Sequence, residues 1–131
     1  MITRDDVQSW IDRLDGGAVH DEELEPGLWR VRTADGAEVV VNYAPPVIIL
    51  RVRVMEVPES EPRRAELFRQ LLTYNARELV HGSYGLEDSH VVLTDTLDLE
   101  GLDYAAFEAS FDAVTVALAS HLGALAAYRE A

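Results

Sequence analysis

Four histidines, His20, His81, His90 and His121, are the natural candidates for metal ligation or proton transfer in this chain, and their spacing argues against both. Imidazole holds zinc when two histidines stand one helical turn apart or thiolates complete the set. Here there is no His-x-x-x-His, no His-Glu-x-x-His and no cysteine. Ser83 and Ser89 lie near His81 and His90, yet no Gly-x-Ser-x-Gly elbow is present, and closeness along the chain does not supply triad geometry. Gly82 and Gly85 sit in a strand signal with no helix start after them, so they make no phosphate-binding loop. The acidic run Asp21, Glu22, Glu23 and Glu25 lacks the alternating Asp pattern of a calcium loop and reads as a solvated loop over residues 18–26. The expectation is no catalytic residue, no metal and no cofactor.

Three polar features remain. Arg30, Arg32, Arg51 and Arg53 recur at strand spacing and fall on one face of a sheet. Three readings stay open: a solvated face with Glu38 as cross-strand partner, a surface neutralised by acids of the middle helix or a second subunit, or a site for an anionic peptide or metabolite. Guanidinium suits the last because it meets carboxylate or phosphate in a bidentate fork. Asn75 stands on an apolar helical stripe, where an unsatisfied amide costs about 1–3 kcal/mol, so it is expected to tie the helix end to the backbone around residues 79–84. His121, on another apolar stripe, reads as a core or interface histidine with its hydrogen bonds satisfied.

These residues are positioned by elements whose order is legible. Thr3 with Asp6 has the spacing of a capping box and Ile2 with Val7 that of a staple, so a helix starts at the N-terminus, with Val7, Trp10, Ile11 and Leu14 inward and Gly16-Gly17 as its stop. From Leu28 to Val57 the period changes to two, in three strands. A three-residue loop with Gly36 left-handed pairs Trp29 and Val31 with Val39, Val41 and Tyr43, and sorts one face as apolar. The third strand carries Ile48, Leu50, Val52 and Val54 on one side and Val47, Ile49, Arg51, Arg53 and Met55 on the other. Ser60 and Pro62 open a second helix with Phe68, Leu71, Leu72, Asn75 and Leu79 along its buried side. A hairpin around Tyr84-Leu86 and Val91-Leu97 follows, and Asp103 caps the last helix, with Leu102 and Phe107 at staple spacing. The fold class expected is α+β: one domain over residues 1–131, with three helices and an antiparallel five-stranded sheet in the order α-βββ-α-ββ-α.

That order, with Leu71-Leu72-Thr73-Tyr74-Asn75, Gly82-Ser83-Tyr84-Gly85-Leu86, Val91-Val92-Leu93 and Leu99-Glu100-Gly101-Leu102, resembles the YbjN family and, more distantly, the class I type III secretion chaperones. The resemblance implies a small acidic, non-enzymatic protein, commonly dimeric, that holds an extended or partly folded polypeptide on its surface. The matched motifs are structural, and no binding residue is carried over from them.

Charge and composition narrow the partners. A net charge of −13 disfavours nucleic acid, whose phosphates need clustered cations. The start of the chain shows neither a basic leader nor an apolar signal core, and the cytoplasm is the expected compartment. From Ala113 to Tyr128 sixteen residues carry no formal charge, but the run is short and rich in Ala, Ser, Thr and His, so a membrane span is not expected. Along the helix that contains it Phe107, Phe111, Val114, Leu118, His121, Leu125 and Tyr128 make a large stripe, and Ala109, Ala113, Val116, Ser120, Gly123 and Ala127 a nearly opposite small one. The first suits the core. The second is the expected dimer or partner-helix face, and the function expected is a dimeric protein-binding module, chaperone-like or regulatory, with an anion sensor built on the arginine face as the alternative.

Overall fold

The computed structural model describes residues 1–129. Among them the sequence folds as α1 (Arg4–Arg13), β1 (His20–Glu25), β2 (Leu28–Arg32), β3 (Glu38–Ala44), β4 (Val47–Glu56), α2 (Glu61–Arg77), β5 (Ser83–Glu87), β6 (His90–Asp98) and α3 (Tyr104–Leu125). The strands form one antiparallel sheet in the order β1-β2-β3-β4-β6-β5. The α+β class is as expected, but the sheet has six strands rather than five, because the acidic segment read as a loop is β1.

β1 escapes a hydrophobic reading because every residue in it is exposed. Its period of two is written in charge instead. Asp21 and Glu23 face α1, where Gln8 donates to Asp21 at 3.0 Å and the Arg4 guanidinium pairs with Glu23, while Glu22 faces the other way towards Arg30. Backbone pairing to β2, His20 with Arg32 through Glu25 with Leu28, supplies what apolar burial does not.

The remaining signals act as local chemistry requires. Thr3 and Asp6 close the capping box of α1, which ends at Arg13, and Gly16 and Gly17 lie in the tight turn beyond it. Asp103 accepts from the Ala106 amide at 2.8 Å to cap α3. Trp29 pairs with Val41 and Val31 with Val39 about a loop in which Gly36 has φ +95°, the register that keeps the apolar set together. All four of those side chains are fully buried with Ile48, Leu50 and Leu93, and the helices cover this face of the sheet alone.

Two stripes differ from the periodic reading. A bulge between Arg53 and Met55 in the β4–β6 ladder turns Met55 back into the core opposite Val91, so it does not share the arginine face. On α2 the buried side chains are Leu67, Leu71 and Tyr74, whereas Leu72 is 67% exposed. The stripe is rotated by about one residue because Tyr74 docks against the β5 end of the sheet and sets the helix's angle. α3 is long and apolar enough to cross a membrane by length and composition, yet its large stripe is buried against the sheet, with Phe107, Val114 and Leu125 at full burial.

Candidate functional site

The uncovered face of the sheet brings Arg30, Arg32, Arg51 and Arg53 together, as their register requires: Arg30 and Arg51 both lie opposite Val40. Three of the four are neutralised by acids of the same face. Glu38 receives Arg30 at 2.8 Å and Arg32 at 3.4 Å, Glu22 lies 3.4 Å from Arg30, and Glu87 pairs with Arg51 at 2.8 Å. The partners come from β1, β3 and β5. Acids of the middle helix play no part, because α2 packs on the opposite face. Arg53 is exposed and has no acidic partner among the described residues.

A polar knot joins α2, β5 and α3. The Asn75 amide donates to the Tyr84 carbonyl at 3.1 Å and accepts from the Tyr84 amide at 2.7 Å, the backbone attachment expected of it. His121 is buried, with Nδ1 2.7 Å from the Tyr84 hydroxyl and Nε2 3.1 Å from Glu78 Oε2. Its ring stacks on Tyr74 at 3.7 Å between centroids and 2° between planes. With the phenol donating to Nδ1 and Nε2–H donating to the carboxylate, both ring nitrogens are satisfied. Burial, with Tyr74 and Glu78 close by, pushes the Tyr84 phenol well above the usual tyrosine range, so it stays a donor. The arrangement has the order of a carboxylate-histidine-hydroxyl relay, but Tyr84 is only 5% exposed and offers no hydroxyl to a substrate.

The small stripe of α3 faces outward. Ala109, Val116, Ser120, Gly123 and Ala127 are exposed and Ala113 is half-buried. Ala113, Val116 and Ser120 border a groove of about 340 Å³ whose other wall is Leu79 and Val80, with His121 at its base. Val80 is 89% exposed and Val116 63%, so two branched apolar side chains face water across it. A second, larger apolar hollow of about 610 Å³ lies between Ile2, Tyr43, Pro45, Pro46, Leu99 and Leu102. The Leu99-Glu100-Gly101-Leu102 motif forms its lip.

The other histidines stay apart. His81 lies 3.9 Å from Asp95, His90 lies 3.8 Å from Glu56, and no group of His, Asp or Glu among the described residues could hold a metal ion. One buried polar contact carried no sequence signal: Ser110, fully buried on α3, donates to Asp95 at 2.5 Å. A serine on an alanine-rich helix looks like any other small residue.

Among the described residues three helices lie on one face of an antiparallel sheet, with apolar grooves at their margins. The chain belongs to the CesT_Tir_1 family, whose model matches residues 2–131. No curated protein matches it. Among solved structures it is similar to the heterodimeric complex ExoU-SpcU from the type III secretion system of Pseudomonas aeruginosa, with TM-score 0.70 and 18% identity over 89% of this chain and 95% of that one. It is also similar to E. coli YbjN, described as a candidate transcription regulator, with TM-score 0.64 and 14% identity over 92% of this chain and 91% of that one. The Yersinia pestis secretion chaperone SycH, solved with a fragment of YscM2, matches with TM-score 0.63 and 13% identity over 90% and 98%. The YbjN-like, chaperone-like fold implied by the motifs is therefore the fold of this chain.

Proposed function

We propose that this protein is a dimeric polypeptide-binding module, chaperone-like or regulatory, that works without catalysing a reaction. The observation that carries the reading is the uncharged outer face of α3, grooved against Leu79 and Val80 and left open to water in a chain of net charge −13. Such a chain repels its copies and acidic partners over most of its surface, and an uncharged face is where a close approach costs least. Support comes from the family and from SpcU and SycH, similar folds whose structures hold a polypeptide partner. An anion sensor on the arginine face is less well supported, because Arg30, Arg32 and Arg51 already face carboxylates.

Sedimentation at micromolar concentration tests the dimer, and capture from a native extract, read by mass spectrometry, tests polypeptide binding. Ala113→Glu and Gly123→Glu are expected to give folded monomers that capture less. Leu118→Glu, which buries an unpaired charge, is expected to unfold the domain. A single 14.6 kDa species in the parent protein, or the same outcome for all three variants, would refute this use of α3.

A further inference from the structure

The ladder joining β3 to β4 stops at Val40 and Arg51, although β3 reaches back to Glu38 and β4 runs on to Glu56. Past that pair β4 keeps β6 on one side, Val52 with Leu93 and Arg53 with Val92, and has no strand partner on the other among the described residues. The strands part around a cleft of about 330 Å³. The turn from Asp35 to Glu38 forms one wall, Val52, Arg53 and Val54 form the other, and Leu118, Ala119 and Leu122 of α3 lie beneath. Leu122 is 37% exposed there.

The charges around the cleft are not equally available. Asp35 accepts from the Thr33 hydroxyl, which holds its carboxyl below the usual range, and Glu38 lies between Arg30 and Arg32. Arg53 alone of the charged side chains lining the cleft has no partner among the described residues. An unpartnered guanidinium on one face of an open strand, with an apolar floor on the other, suits an extended segment whose successive side chains are a carboxylate and an apolar group.

We infer that this cleft seats a short acidic and apolar stretch of a partner polypeptide, its carboxylate on Arg53 and the adjoining apolar side chain over Val54 and Leu122. At ~3.3 Å per residue the open run from Val52 to Val54 accommodates about three extended residues. The inference rests on the polypeptide-binding reading and assigns it a second contact, away from the outer face of α3.

The test uses fluorescence anisotropy with the full chain and two labelled pentapeptides, one alternating leucine with glutamate and one alternating leucine with glutamine. The glutamate peptide is expected to bind, to weaken roughly two- to fivefold with Arg53→Gln, as an exposed ion pair should, and to weaken further as salt rises. Leu122→Glu, which places a like charge on the floor, is expected to reduce its binding as well. The glutamine peptide should be indifferent to Arg53→Gln. Equal binding of both peptides, or a glutamate peptide unaffected by Arg53→Gln, overturns the assignment and leaves polypeptide binding standing if capture from extract succeeds. Binding of decanoate without binding of the peptide would give the cleft to a fatty acid and overturn it too. Failure of every peptide together with failure of capture would remove both readings.

Discussion

The side-chain amide of Asn75 meets the backbone of Tyr84 as a neighbouring strand would, giving one hydrogen bond to its carbonyl and taking one from its N–H. β5 is the last strand of the sheet, and at this residue its outer edge is occupied by a helix side chain rather than left to water or to another strand. Asn75→Leu keeps roughly the volume and leaves both backbone groups unpaired. It is expected to cost about 1–3 kcal/mol in urea unfolding. Amide exchange at Tyr84 should quicken in the same variant, and unchanged stability would show that water replaces the amide without loss.

Tyr84 predicts an alkaline response. Its folded pKa is raised by burial and by Tyr74 and Glu78, so the stability it contributes is complete below the unfolded value of about 10 and is lost as pH climbs from there towards the folded value. Tyr84→Phe should cost about 1 kcal/mol near neutral pH, because His121 loses a donor, and should then lose less stability than the parent between pH 9 and 11. Urea midpoints across that range check it, and parallel curves for the two proteins would rule out Tyr84 as the source.

Gly123 separates the needs of the monomer from those of an assembly. It lies in the interior of α3, and beyond its own helix no atom of the described residues comes within 4 Å of where a Cβ would sit, so Gly123→Ala is expected to raise monomer stability by about 1 kcal/mol. If a second chain packs closely there, the same methyl weakens association. Melting temperature and dimer dissociation constant should then move in opposite senses, and a rise in both would place the contact elsewhere.

Gly82 is bound by a different constraint. Its φ is +79°, and a Cβ would stand 2.7 Å from the Thr94 carbonyl oxygen, against backbone that cannot yield. Gly82→Ala is expected to cost about 1–3 kcal/mol and to loosen the start of β5. A melting temperature equal to the parent's would contradict the close approach.

Residues that break a pattern were the ones whose roles could be read before the structure. Asn75 and His121 are polar positions on apolar stripes, and burial forces each to find partners, so the kind of contact followed from residue type and place. What could not be read is what another element decides. The bulge that returns Met55 to the core depends on pairing with β6, and the rotation that exposes Leu72 and buries Leu67 depends on how Tyr74 docks. β1 was hidden for another reason: hydrophobic alternation marks strands that bury a face, and this one alternates between α1 and Arg30 with carboxylates. The arginine face was placed correctly by register, while its neutralisation by Glu22, Glu38 and Glu87 depended on a strand and a hairpin edge that periodicity does not bring into view.

β1 also gives the sheet a direction. Its outer edge offers unpaired backbone groups, as any last strand does, but Asp21, Glu22, Glu23 and Glu25 surround them with carboxylates. Glu22 and Glu23 are paired with Arg30 and Arg4, and the remaining carboxylates, Asp21 and Glu25, would set like charges together if two such margins met. Edge-to-edge pairing, the hazard of every open sheet, is opposed at β1 by those charges and narrowed at β5 by the clasp of Asn75 on Tyr84. The two outer strands are thus guarded by different means, carboxylates at β1 and a side-chain amide at β5.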